Sequence, residues 1–477
     1  MSLTNFRNFN EVLMHNFVHC RDAVALDYTD AQRTVSYTFR QLSHQVYTVS
    51  NYLFTNGLEP EDHVAIWMPN LPETVWVDLG ATLAGAIITP IAPQAATNDV
   101  VWLLNDLAAK YIFVATKKQL EALQGVRTQL PNLKKVIVLE EIELEDEWMV
   151  PFYWMMNFPT QIVSLGNVHT LRETKNQNST LNILYPIAEN GKLQRRGVVL
   201  SHGNCLATIR AIGERLGFQT ESTVPTRYVS TLSIAHVQER MMGYYTLLYY
   251  AKTIVINEVA SSQSLSAQIA VTRANFTCVP SAQLELLREQ MSANMMDSTL
   301  SRWALANGLR VAQLQLSGNS ITWFLRKKHA FYRRQREAMR KKYTKPLSFI
   351  VSYGAPLQET TDTFFYALGC TILQSFGVTE TFGFATIDDL ADPRPLTAGK
   401  ALDGLEVQME RYGAIIVRGE SLFKTYWKQV RPTADAFDKD GFFRTPVKGH
   451  LENLHLVIMP TIAESIAPPT ALPEAAV

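Results

Sequence analysis

Four features are scarce in this sequence, and each scarcity excludes a class of protein. The 477 residues include 4 cysteines, Cys20, Cys205, Cys278 and Cys370, scattered and never at CxxC spacing. That excludes a disulfide framework or a cysteine-based zinc module and suits reduced thiols in a cytoplasmic protein. No apolar run reaches the roughly eighteen residues that a membrane-spanning helix needs. The segment Met1 to Asn10 holds Arg7 but no apolar core, so no signal peptide is expected. Net charge is also missing, because 44 Lys and Arg balance 44 Asp and Glu. Composition therefore gives no reason to expect a nucleic-acid or acidic partner.

What the chain has is apolar residues, 47% of the total, enough for large cores. Its length allows roughly two to four domains. Up to about residue 175, helical and strand patterns alternate. Tyr37 to Leu53 reads as a helix with Thr38 as N-cap, and His63 to Met68 as a buried strand stopped by Pro69. A helix over about 71–83, a strand over Gly85 to Pro90, a helix over Asp99 to Ala109 and a strand over Tyr111 to Val114 follow. This rhythm predicts a parallel sheet with helices on both faces. The acidic residues 140–147 read as a solvated loop.

The rhythm repeats from about 180 to 385, with strands predicted at Leu181 to Leu184, Thr253 to Asn257, Phe276 to Val279 and Ser348 to Ser352. Within it, residues 326–345 are strongly basic. They read either as a solvated helix face or as a contact for anionic lipid headgroups. Beyond about 395 the segments shorten, as Gly404 to Met409 and Gly413 to Val417 show. The expected architecture is α/β: two doubly wound α/β subdomains, 1–175 and 176–394, a small β-rich subdomain, 395–459, and a disordered Ala/Pro tail, 460–477.

One stretch organises the rest: Gln374-Ser375-Phe376-Gly377-Val378-Thr379-Glu380-Thr381. The apolar residues before it predict a short buried strand, a turn at Gly377 and polar side chains at the strand's end, where ligands sit in open α/β sheets. The Thr379 hydroxyl beside the Glu380 carboxylate suits a phosphate oxygen and its Mg²⁺. A surface turn with an N-capping threonine is the plainer reading of the same residues.

Several collinear segments then carry a resemblance. Tyr37-Thr38, Ile66-Trp67-Met68-Pro69-Asn70 and Gly85-Ala86 open it, followed by Gly197 to Asn204 and Leu232-Ser233-Ile234-Ala235-His236-Val237-Gln238-Glu239-Arg240. Tyr353-Gly354-Ala355-Pro356-Leu357, the octapeptide, Gly399 to Gly404, Ile416 to Gly419 and Ala436 to Thr445 complete it. From about Arg33 to Met459 the chain resembles the adenylate-forming acyl-activating enzymes, specifically the long-chain fatty acyl-CoA synthetases. The resemblance implies Mg²⁺ and ATP as cofactors if the chain is active, and a fatty acid or acyl chain as substrate or ligand. It places Gly354, Ala355, Pro356, Gln374, Ser375, Phe376, Gly377 and Thr379 on the nucleotide, Thr379 and Glu380 in catalysis, Glu380 on the metal and His236 on the acyl side. A satisfied core histidine is the other reading of His236, and Arg240 reads as structural, paired with Glu239 or with the rest of the fold.

The chain also departs from the family. Where the phosphate loop reads roughly Y-T-S-G-T-T-G-x-P-K-G, this sequence runs from Tyr185-Pro186-Ile187-Ala188-Glu189 to Arg195-Arg196-Gly197. The hydroxyls and the early glycine are gone. Pro186 removes an N–H and Glu189 adds a negative charge. Lys192, Arg195 and Arg196 offset it only as point charges. The ribose-binding T-G-D is Thr445-Pro446-Val447, and Tyr353 stands where a small residue is usual, an expected crowding of the adenine loop. The family continues beyond the position of Met459 into a mobile lid. The reading is a protein with weak or lost adenylation that binds an acyl chain, a nucleotide or a protein partner. The alternative is an active ligase, with a lid domain supplied in trans or with residual adenylation.

Overall fold

In the computed structural model the described residues are 5–30, 33–143, 146–158, 175–187, 193–218, 227–257, 264–295 and 298–459. The segment 460–477, read as a disordered tail, residues 144–145 of the acidic run and residues 188–192 of the altered phosphate loop lie outside them.

The local signals fold as their chemistry requires. Thr38 caps the helix Phe39–Thr55. Its hydroxyl accepts from the Gln41 N–H, and the Gln41 side chain accepts from the Thr38 N–H. Two first-turn donors are thereby satisfied. Pro72 opens the helix Pro72–Leu83, where a missing N–H costs nothing. The two helices approach closely at Gly80, where a Cβ would stand 2.6 Å from Val49 Cβ.

The apolar runs His63–Trp67, Ile87–Pro90 and Tyr111–Val114 are neighbouring parallel strands. They form the middle of an eight-stranded sheet, extended on one side by Lys135–Val138 and Met149–Pro151 and on the other by Thr180–Leu184, Val198–Ser201 and Thr425–Tyr426. A nine-stranded sheet runs in the order Lys400–Ala401, Thr386–Ile387, Ile372–Phe376, Phe349–Tyr353, Phe276–Pro280, Arg227–Ser230, Thr253–Asn257, Val24–Thr29, Thr34–Thr38. Its interior pairs are parallel and its edges antiparallel. Leu405–Met409, Ala414–Gly419, Phe443–Glu452 and His455–Ile458 make a small antiparallel sheet. The fold is therefore the expected one, two parallel-rich α/β sheets and a small β-rich unit.

The sheets do not divide along the chain at residue 176. The early hairpin at 24–38 completes the nine-stranded sheet, with Leu26 opposite Ile254, and the strands at 180–201 join the first. One apolar cluster passes from Val64 and Ile88 through Phe276 and Val351 to Ile415 and Leu456, so the sheets share a core. Among the described residues no helix is long and apolar enough to cross a membrane.

Candidate functional site

The organising octapeptide divides its side chains between core and cleft. Gln374 and Ser375 spend their polar atoms inside the fold. Gln374 Nε2 donates to Asp362 Oδ2 at 2.7 Å and its Oε1 accepts from the Leu357 N–H at 3.2 Å. Ser375 Oγ donates to the Ser352 carbonyl at 2.9 Å, and Phe376 is buried in the main core. Gly377 has no room for a side chain, because a Cβ there would stand 2.2 Å from the Gly383 carbonyl oxygen. Gly377→Ala is expected to destabilise by about 1–3 kcal/mol, the usual cost of overpacking. An unchanged denaturation midpoint would show instead that the backbone at 383 yields freely.

After Gly377 the chain emerges. Thr379 and Glu380 sit on the short 3₁₀ turn Thr379–Thr381, capped by Thr381, whose hydroxyl accepts from the Val378 N–H at 3.0 Å. Both line a cleft of about 840 Å³, together with His236, Arg196, Tyr426 and Arg444. The cleft lies beyond the carboxyl end of the strand Ile372–Phe376, where ligands of parallel sheets collect.

Glu380 does not face the cleft unattended. The Tyr426 hydroxyl donates to its Oε1 at 2.8 Å, and the Arg196 guanidinium lies 4.8 Å from the centre of the Tyr426 ring. Burial pushes the Glu380 carboxyl above its ordinary value, against the Tyr426 hydrogen bond and the Arg196 charge, which pull it down. Among the described residues no three His, Cys, Asp or Glu side chains gather into a metal cage. A Mg²⁺ held through one carboxylate would take its remaining ligands from phosphate oxygens and water, which is how Mg²⁺ is usually bound. Thr379 and Glu380 fit that arrangement.

His236 reaches the cleft from the turn at Ser233, whose carbonyl accepts the His236 N–H at 2.9 Å. Burial lowers its pKa, so the imidazole is neutral at pH 7. The π-helical run Glu239–Tyr245 follows, a rare geometry frequent at functional sites. Arg240 pairs with Asp78, Nη2 to Oδ2 at 2.5 Å, both side chains fully buried. Glu239 instead accepts from Tyr228 and Ser230 hydroxyls, each at 2.7 Å.

The remaining expected nucleotide contacts lie apart from this cleft's lining. Gly354, at φ +90°, and Ala355 are exposed, Pro356 is half-buried, and none is on the cleft wall. Tyr353 does not crowd that loop, because its ring turns into the main core near Cys278 and Glu239. At the altered phosphate loop the Pro186 carbonyl accepts the Gln194 N–H at 2.8 Å, and Ile187 bridges Leu193. These backbone groups are thus engaged with each other. Arg195 points toward the Trp102 ring, while Arg196 is in the cleft. Val447 packs against the core, and its N–H donates to Thr445 Oγ1 at 3.3 Å. Arg444 lines the cleft with its guanidinium bonded twice to Glu410, at 2.7 Å each. Sequence reading missed Tyr426 and Asp435, both in the lining. Tyr426 lies 46 positions from Glu380, too far for any short motif to connect them.

Two parallel-rich sheets, a small antiparallel unit and a cleft lined by Thr379, Glu380 and His236 make up an α/β body with one candidate site. A family model described as AMP-binding enzyme matches residues 15–427, and the chain belongs to that family. It is 24% identical over 467 residues to the long-chain-fatty-acid–CoA ligase ACSBG2 of Xenopus laevis, covering 93% of this chain and 61% of that protein. To FadD15 of Mycobacterium tuberculosis, also a long-chain-fatty-acid–CoA ligase, it is 23% identical, covering 90% and 70%. The chain spans 56% of the human ligase ACSBG1, which it matches at 24%. In fold it is similar to the anthranilate–CoA ligase AuaEII in complex with anthranoyl-AMP, with TM-score 0.70, 18% identity and coverage of 96% and 77%. The N-terminal domain of FACL13 from Mycobacterium tuberculosis gives TM-score 0.68 at 18% identity, covering 95% of this chain and all of that one.

Proposed function

We propose that this chain is a long-chain acyl-CoA synthetase-like protein with weak or lost adenylation, acting by binding an acyl chain, a nucleotide or a protein partner. The observation that carries this reading is Val447. The family resemblance puts the ribose-binding aspartate at this position, and here an apolar side chain packs on the core. Losing two charge-assisted hydrogen bonds at about 1.5–3 kcal/mol each weakens nucleotide binding by roughly two to four orders of magnitude. The paired backbone at Pro186 and Gln194 supports the same reading, because a phosphate nest needs free N–H groups.

The second reading is an active fatty acid–CoA or acyl-carrier ligase that forms an acyl-adenylate from ATP. The placement of Thr379, Glu380 and His236 around one cleft favours it. ATP and Mg²⁺ would supply the activated phosphorus, with Thr379 holding a phosphate oxygen and Glu380 the metal. Neutral His236 would line the acyl side without adding a charge near the carboxylate.

Fatty-acid-dependent pyrophosphate release from Mg·ATP, measured across chain lengths with Glu380→Ala as control, separates the two. Release at or near the control rate is expected, with a fatty acid raising the melting temperature and Mg·ATP leaving it unchanged. Clear release that disappears in Glu380→Ala establishes the ligase instead.

A further inference from the structure

The basic stretch forms two helices, Trp323–Phe331 and Arg333–Thr344, set against the helix Thr299–Leu316. The first has no buried residue. Trp323, Phe324 and Phe331 are 68%, 71% and 76% exposed, and Trp303 on the neighbouring helix is 54% exposed. Large aromatics that fold into nothing mark an interaction surface. Lysines sit over two of them, Lys327 Nζ 4.4 Å from the Trp323 ring centre and Lys328 Nζ 5.2 Å from that of Trp303. Between 298 and 345 the sequence has 12 lysines and arginines and one carboxylate, Glu337, in a chain whose charges balance overall.

Behind this surface lie two cavities of about 320 and 430 Å³ that share Gln315, His329, Arg333 and Arg336. Arg340 lines the first and Arg326 the second. Arg336 is only 5% exposed. Its Nη2 donates to the His329 carbonyl at 2.9 Å, and its Nη1 has no hydrogen-bond acceptor. Glu337 forms its ion pair with Arg333, at 3.6 Å, and reaches Arg336 only as a nearby charge, so Arg336 Nη1 stays without an acceptor. A buried guanidinium short of an acceptor is costly unless an anion completes it.

We propose that this face docks on an anionic lipid bilayer, with the exposed aromatics entering the headgroup region and the arginine-lined recess receiving a lipid phosphate. Aromatic rings with an apolar body suit the membrane interface. Lysines whose stems run along those rings keep their charge at the phosphate level. Charge complementarity selects an anionic bilayer over a neutral one. The inference does not depend on how the cleft at Glu380 works.

The test is flotation of the whole protein with phosphatidylcholine vesicles, with and without phosphatidylglycerol. Binding to the anionic vesicles alone, falling as salt rises, is expected. Trp323→Ala/Phe324→Ala/Phe331→Ala should weaken it at least roughly ten-fold, and Lys327→Gln or Arg333→Gln roughly five-fold each. All are exposed positions, so an unchanged melting temperature confirms that the variants fold. Inorganic phosphate serves as the soluble probe. Saturable phosphate binding without flotation overturns the proposal in favour of a soluble-anion site. Flotation that the triple variant leaves intact, no flotation at low salt, or RNA binding without vesicle binding each overturns it as well.

Discussion

Asp78→Ala is expected to lower the unfolding free energy by about 3–5 kcal/mol, the cost of stranding one member of a buried ion pair. Asp78 lies on the helix Pro72–Leu83 and Arg240 on the π-helical run, and neither side chain touches solvent. Arg240 also donates to the Tyr245 hydroxyl at 2.6 Å, and Tyr245 donates to Asn182 Oδ1 at 3.0 Å. The network therefore ties the helix to a strand of the eight-stranded sheet. Arg240 Nε donates to the Ile234 carbonyl at 3.0 Å, which pins the turn that presents His236. Removing Asp78 leaves the guanidinium buried and uncompensated, whereas Asp78→Leu/Arg240→Met removes both charges at once. The double variant should unfold at a higher urea concentration than Asp78→Ala despite carrying one more change. If Asp78→Ala costs less than about 1 kcal/mol, water must reach Arg240 and the network is not what holds this junction. Loosening the 233–236 turn should also shrink any melting-temperature rise caused by a fatty acid.

The same junction shows what sequence reading could and could not reach. Thr38 followed by Gln41, and apolar runs such as Tyr111–Val114, are local instructions, and the chain executes them within a residue or two. Gly377 was legible as a turn, though its reason is the Gly383 backbone and not a need for positive φ. Pairing across long separations was not legible. Nothing near Val24–Thr29 announces that its parallel partner begins at Thr253, more than two hundred positions away. Arg240 was read as paired with Glu239 or with the rest of the fold. Its partner is Asp78, because consecutive residues on a helical run point in different directions. Tyr353 was read by its bulk against the adenine loop, yet its strand position aims the ring inward. The octapeptide's contents divided by the strand's own geometry, with Gln374, Ser375 and Phe376 engaged in the core and only the residues past Gly377 free to reach the cleft.

Glu239 should make stability fall with rising pH across a window that Glu239→Gln abolishes. Burial pushes this carboxyl up to about 8 from an ordinary 4.5, against the hydrogen bonds from Ser230 and Tyr228 that favour ionisation. Below pH 4.5 the acid is protonated in both folded and unfolded chains, and the full contribution is present. Between 4.5 and about 8 the unfolded chain releases a proton that the folded chain keeps, so the folded state binds more protons and stability declines with pH. Above about 8 the loss is complete. At about 1.4 kcal/mol per unit the total is about 4–5 kcal/mol. Other buried groups also tilt the wild-type curve. Asp362 and Asp388, raised to about 6 and about 7, have the same sign. His202 and His63, lowered to about 3 and about 4, act in the opposite sense below 6.5. All four are present in both proteins and cancel in the difference. Glutamine keeps the side chain's length and one carbonyl acceptor, so its own cost is a constant offset. Urea unfolding of both proteins at intervals from pH 4.5 to 8.5 should therefore show wild type losing about 4 kcal/mol relative to Glu239→Gln. Curves that stay parallel across the window would mean that Glu239 ionises in place and that the core around Tyr228 and Ser230 admits the charge.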